Sequence, residues 1–330
     1  MRVRTEALGG AAILLGCGAA LAATAPPGPA AELLLKAEAR VLDARHAGPF
    51  TLQYALRFSD GTAGTYVWRR RDADNCREEI KVGERTAERG VLSGKGWRTP
   101  GDEAPEAWWL ESSLFAFRDQ LAPETGQALA AENRTIGGRE FVEVRRRREP
   151  ERGSWVVFLT SPELDLSLSE IGFVRRSYSD WKTLRGAGMV PGICRIYIEG
   201  RLALEMTLER GTNQPIAAAD LARPADAVDR EHCPLEVSPP KLVIRTPPTF
   251  PAEARAARVQ GLVVLSATIT AGGEVRDVRP VYPPDAGTGP RLLLVNAAEA
   301  AVKTWRYEPA RCQGTPIATD LNVTVSFALN

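Results

Sequence analysis

Histidine is nearly missing from this sequence: His46 and His232 are the only two in 330 residues, and both fall in turn or linker contexts. Acid-base catalysis near neutral pH and imidazole metal sites have little to draw on. His-Glu-x-x-His, Gly-x-Ser-x-Gly, a phosphate-cradling glycine loop, Cys-x-x-Cys and dense carboxylate clusters are also absent. With them go the usual signatures of metal hydrolysis, acyl transfer, nucleotide handling and dithiol redox chemistry. No catalytic residue, no metal, no cofactor and no enzymatic activity are expected. An excess of either charge is lacking too, since 42 basic and 41 acidic residues leave a net charge of +1. No global field attracts nucleic acid, so no nucleic-acid partner is expected. The run Arg145 to Arg148 is interleaved with Glu143, Glu149 and Glu151, the composition of a solvated hairpin end.

Past the N-terminus, no apolar run is long enough to span a bilayer. At the N-terminus, Arg2 and Arg4 precede a small-residue apolar stretch, Ala7 to Ala25, with the layout of a secretory signal over residues 1–22. Ala20-Leu21-Ala22 fits cleavage after Ala22. Two alternatives stay open: Leu14-Leu15-Gly16-Cys17 resembles a lipobox, and the stretch is of marginal length for a retained anchor. Export to the periplasm is the expectation in each case. If Cys17 leaves with the signal or carries lipid, four cysteines remain: Cys76, Cys194, Cys233 and Cys312. An even number in an oxidising compartment points to disulfides, with pairing inside each domain favoured and free buried cysteines the alternative.

The length implies two domains. With 44% apolar and 25% charged residues, the chain has material for two cores and the balance of a soluble protein. Leu33, Leu34, Ala37, Val41 and Leu42 predict a helix over 32–44. Phe50, Leu52, Tyr54, Leu56 and Phe58 alternate strictly and predict a strand with one apolar face, followed by Ser59-Asp60-Gly61 and a partner strand at 65–69. Further strands are predicted at 86–92, 141–146, 155–159, 195–199 and 203–209, an antiparallel series. Trp108, Trp109, Phe115 and Phe117 mark a helix or lid over 105–121. Pro224, Pro234, Pro239 and Pro240 mark a linker over 223–240, between a first domain at 31–222 and a second at 241–330. The second domain predicts strand 261–269, turn 271–274, strand 275–282, helix 296–305 and a final strand 319–329.

The markers of the second domain resemble the TonB C-terminal domain family. They are Pro248-Thr249-Phe250-Pro251, Gln260-Gly261, Gly272-Gly273, the helix ending in Trp305, Tyr307-Glu308-Pro309-Ala310 and Gly314-Thr315-Pro316-Ile317. The first domain resembles the lipoprotein-carrier superfamily typified by LolA and LolB. That resemblance rests on the opening helix and strand, and on Tyr178-Ser179-Asp180-Trp181, Gly186, Pro191 and the run Ile193 to Ile198. Together they imply an α+β chain: an incomplete antiparallel β-barrel with covering helices around an apolar cavity, then a small β-β-α-β domain.

Two functions follow from the resemblances. In the first, an outer-membrane or envelope protein segment adds as a strand to the edge at Asp320, Asn322, Val323, Thr324, Val325, Ser326 and Phe327, in a protein linked to transmembrane transport. The alternatives for that edge are closure by a homodimer or by the first domain. In the second, the first domain carries lipid or lipoprotein acyl chains in a cavity lined by Phe50, Leu52, Tyr54, Leu56 and Phe58.

Overall fold

The computed structural model describes residues 4–6, 28–44, 47–99, 121, 128–146, 155–171, 174–230, 233, 237–282 and 289–329. These form two compact units, one holding residues 28–230 and the other Arg4–Glu6 with residues 233–329. The predicted lid at 105–121 lies outside the described residues except for Leu121, which is fully buried.

The first unit is built on one open, antiparallel sheet of thirteen strands. Phe50–Phe58 sits near its middle. On one side the chain meanders outward through Ala63–Asp72, Asn75–Val82, Arg85–Leu92 and Lys95–Arg98 to an edge strand, Val228–Arg230. On the other side it returns from the far edge, Leu129–Ile136, through Arg139–Arg146, Trp155–Thr160, Leu166–Ile171, Val174–Ser179 and Ile193–Ile198 to Arg201–Thr212, which pairs with Phe50–Phe58. Among the described residues the two edge strands do not pair with each other, so these strands do not close a barrel.

Alternation explains the strands that were legible. Phe50, Leu52, Tyr54 and Leu56 are at most 2% exposed while the residues between them are half-buried. Leu129–Ile136 was not legible because, as an edge strand, it is exposed along nearly its whole length and neither face selects apolar residues.

The opening helix spans Pro29–Glu38 and buries Ala30, Leu34 and Ala37. It ends six residues earlier than expected. The backbone beyond is taken by Gly188–Val190: Met189 N–H donates to Arg40 O and Leu42 N–H to Met189 O, each at 2.9 Å. Gly188 is required there, because a Cβ would lie 2.8 Å from the Val41 carbonyl and its φ is +110°.

In the second unit Gly261–Ile269 pairs with both Val275–Tyr282 and Thr319–Phe327. Ala252–Ala256 is a short helix after Pro251, and Pro290–Val302 is the long one. The latter begins six residues before the expectation, with Pro290 in its first turn, where a missing N–H costs nothing. Three short strands, Arg306–Glu308, Ala310–Cys312 and Thr315–Ile317, separate it from the final strand. The core stacks Val263, Leu265, Val323, Val325 and Phe327 against Leu294, Ala298, Val302 and Trp305. Phe250 meets Phe327 edge-on at 5.5 Å. Within the predicted linker span, Val228–Arg230 joins the large sheet and Val237–Ser238 pairs with Arg311 and Cys312.

Candidate functional site

Two regions follow from this architecture. The first is the final strand of the second unit. Leu321, Val323, Val325 and Phe327 all face the core, so a partner reaching this strand meets its backbone rather than those side chains. Asp320 accepts a hydrogen bond from Thr268 Oγ1 at 2.9 Å. Thr324 lies on the opposite face yet is only 3% exposed, and its hydroxyl has no hydrogen-bond partner among the described residues. Asn322 and Ser326 are half-buried. On its outer side the strand takes Arg4–Glu6 as an antiparallel neighbour, in the register Arg4↔Ser326, Thr5↔Val325 and Glu6↔Thr324.

The second region is the apolar face of the large sheet. Cross-strand register places Phe50 opposite Arg70, Leu52 opposite Trp68 and Tyr54 opposite Tyr66, and then Arg70, Trp68 and Tyr66 opposite Cys76, Glu78 and Ile80. Residues directly opposite share a face, so Phe50, Leu52, Tyr54 and Leu56 are brought together on a wall with Trp68, Tyr66 and Ile80. Phe58, expected in the same wall, is half-buried.

Polar groups also stand on this wall, unmarked by the apolar pattern of the sequence. Arg70 is 1% exposed and donates from Nη1 to Ala47 O at 2.9 Å. Glu78 is held by Arg89 at 2.8 Å and accepts from the Tyr66 hydroxyl at 3.2 Å. Burial, with the Glu78 charge beside it, drives the Tyr66 hydroxyl well above its ordinary range. The Tyr54 hydroxyl is also raised by burial, and donates to Pro191 O at 2.9 Å. Arg70 and Arg176 could have been found by the same alternation that identified the strands, because Val174, Arg176 and Tyr178 occupy every second position.

The cysteines divide between the two readings. Cys233 and Cys312 form the disulfide favoured within the second domain, whereas Cys76 and Cys194 are free and buried, which corrects the favoured pairing of those two. Their strands are separated in the sheet by three others. Four steps of about 4.8 Å put roughly 19 Å of sheet between them, against a limit near 7 Å for a bridge. Burial pushes both thiols up from 9.0 to about 12.

Among the described residues no group of three His, Cys, Asp or Glu side chains is placed to hold a metal ion, and no helix is long and apolar enough to cross a membrane.

A comparison with curated proteins finds no match. Among solved structures, a LolA superfamily protein from Nitrosomonas europaea is similar over 60% of this chain and 99% of its own, with 11% identity and a TM-score of 0.39. A structure from Vibrio parahaemolyticus, described as an outer membrane lipoprotein-sorting protein domain, is similar over 58% of this chain and 95% of its own, with 9% identity and a TM-score of 0.37. Residues 246–329, the span in which the six sequence markers fall, match the family of Gram-negative bacterial TonB protein C-terminal domains.

Proposed function

We propose that this chain is a non-enzymatic envelope protein of a Gram-negative bacterium, exported to the periplasm, whose C-terminal unit binds an extended segment of an outer-membrane or envelope partner by strand addition at Thr319–Phe327. The observation that carries this reading is the seating of Arg4–Glu6 along that strand: the outer backbone of Thr324–Ser326 takes an added antiparallel strand within this chain. Main-chain hydrogen bonds supply the affinity of such a complex, and alternate side chains of the incoming segment supply its specificity. Cleavage of the leader after Ala22 removes Arg4–Glu6 and opens the site to a partner.

Ser326→Pro is the test, because Ser326 is half-buried and lies off the core face. Proline removes one backbone donor from the strand. Partner proteins recovered from envelope extracts by the chain beginning at residue 23 should be lost with Ser326→Pro, while thermal unfolding changes little. Full retention of every partner by a normally folded variant would overturn strand addition at this edge.

A second reading, carriage of lipid or lipoprotein acyl chains by the N-terminal unit, is favoured by the apolar wall of Phe50, Leu52, Tyr54 and Leu56. Each buried methylene contributes about 0.8 kcal/mol, so one acyl chain against such a wall binds usefully. A fluorescent fatty acid should bind saturably, and Leu52→Glu should weaken it at least tenfold by charging the wall. Equal binding by the variant removes this reading.

A further inference from the structure

On the apolar face of the thirteen-stranded sheet lies a cation whose counter-charge is not supplied by the described residues. Cross-strand register runs Val144, Val157, Ser169, Arg176, Ile196 and Leu204 in one continuous row. Val144, Val157, Ile196 and Leu204 are completely buried. Between them Ser169 is 0% and Arg176 7% exposed, and Ser169 Oγ and Arg176 Nε have no hydrogen-bond partner among the described residues. The carboxylates on the neighbouring strands do not serve. Glu170 and Glu205 project from the opposite face, where Arg175 holds the first at 2.8 Å and Arg195 the second at 2.6 Å.

A desolvated guanidinium without an anion is costly, and buried charges are normally paired. Two unspent donors on adjacent strands, within an apolar row, need an acceptor that arrives with apolar material attached. We propose that Ser169 and Arg176 form the head-group subsite for a carboxylate-headed acyl chain, such as a fatty acid. This rests on the carrier reading of the N-terminal unit. The flat guanidinium edge matches the two oxygens of a carboxylate, and the Ser169 hydroxyl adds a donor from the next strand. One arginine balances one negative charge, which favours a carboxylate over a doubly charged phosphate monoester. The tail then lies along the apolar rows that lead through Ile196, Leu204 and Met206 towards Leu56.

The probes are cis-parinaric acid and its methyl ester, titrated fluorometrically into the whole protein. Hydrogen bonds to a charged group are worth enough that the acid should bind about tenfold or more tightly than the ester. Arg176→Gln should bring the acid to the ester's affinity and leave the ester unchanged, and Ser169→Ala should do so in part. Equal affinity of acid and ester for the unaltered protein, a comparison that needs no variant to fold, overturns the subsite while leaving the carrier reading standing. An unchanged acid-to-ester ratio in a folded Arg176→Gln variant overturns it too. Failure of both probes to saturate overturns the carrier reading, and the subsite with it.

Discussion

At the residue scale, burial decides the chemistry of the cysteines. Cys76 and Cys194 are buried, with thiols raised from 9.0 to about 12; their thiolates, the reactive form, are scarce at neutral pH. In a chain carrying Cys17→Ser, thiol counting without reductant should therefore find two thiols after denaturation and almost none in the folded protein. Four thiols after denaturation would mean that the Cys233–Cys312 bond is not formed, and none that the free pair is bridged. The same shift sets a pH dependence. A raised folded pKa means that the native state holds its thiol protons where the unfolded chain releases them. This contribution is fully present below pH 9, and falls as pH rises through the window from 9 to about 12. Chemical denaturation at pH 8 and pH 10.5 should show the loss, and Cys76→Ala with Cys194→Ala should reduce its slope.

At the scale of elements, the final strand shows why two neighbouring positions differ as sites for proline. Alternation places Thr324 and Ser326 together, off the core face, and by that criterion they are equivalent. The structure separates them: Thr324 is 3% exposed opposite Val264, itself 1% exposed, whereas Ser326 is half-buried. Thr324→Pro should therefore lower the stability of the C-terminal unit by more than about 1 kcal/mol, while Ser326→Pro should cost less. Urea denaturation of the two variants checks this, and equal stabilities would contradict it. The turn Ala271 to Glu274 is constrained in a similar way. Gly273 has a φ of +80°, and a Cβ there would lie 1.9 Å from the Tyr307 carbonyl, so this turn is held to glycine by the strand behind it.

At the scale of the whole molecule, the Cys233–Cys312 bond closes a loop with a sequence separation of 79, beside the pairing of Val237 with Cys312. It ties the start of the C-terminal unit to the short strands before its last one. A bridge over a loop of this length stabilises by roughly 2–5 kcal/mol, largely by restricting the unfolded chain. Cys312→Ser, made together with Cys233→Ser, should lower the melting temperature of the C-terminal unit by several degrees in calorimetry. It should leave the thermal unfolding of the N-terminal unit unchanged. A melting profile identical to that of the unaltered protein would show that the bridge does not stabilise the fold.

Where the buried positions of a strand are filled by apolar residues, the sequence alone determined the element. Phe50–Phe58 and Thr319–Phe327 are recognisable because apolar residues recur at every second position, and Gly261–Ile269 because Leu262 to Leu265 form a continuous apolar run that is buried throughout. The TonB-like span was recognisable for a related reason, since its glycines, prolines and Trp305 sit at turns and packing points that few other residues can fill. Tertiary structure alone decided the rest. Edge strands such as Leu129–Ile136 have no buried face to write a pattern, and the opening helix stops at Glu38 because a distant segment, Gly188–Val190, claims the backbone that would have continued it. Which cysteines meet, and that Ser169 and Arg176 lie side by side within an apolar row, depend on strand order and register. Those are set by contacts between residues far apart in the chain, and no local pattern records them.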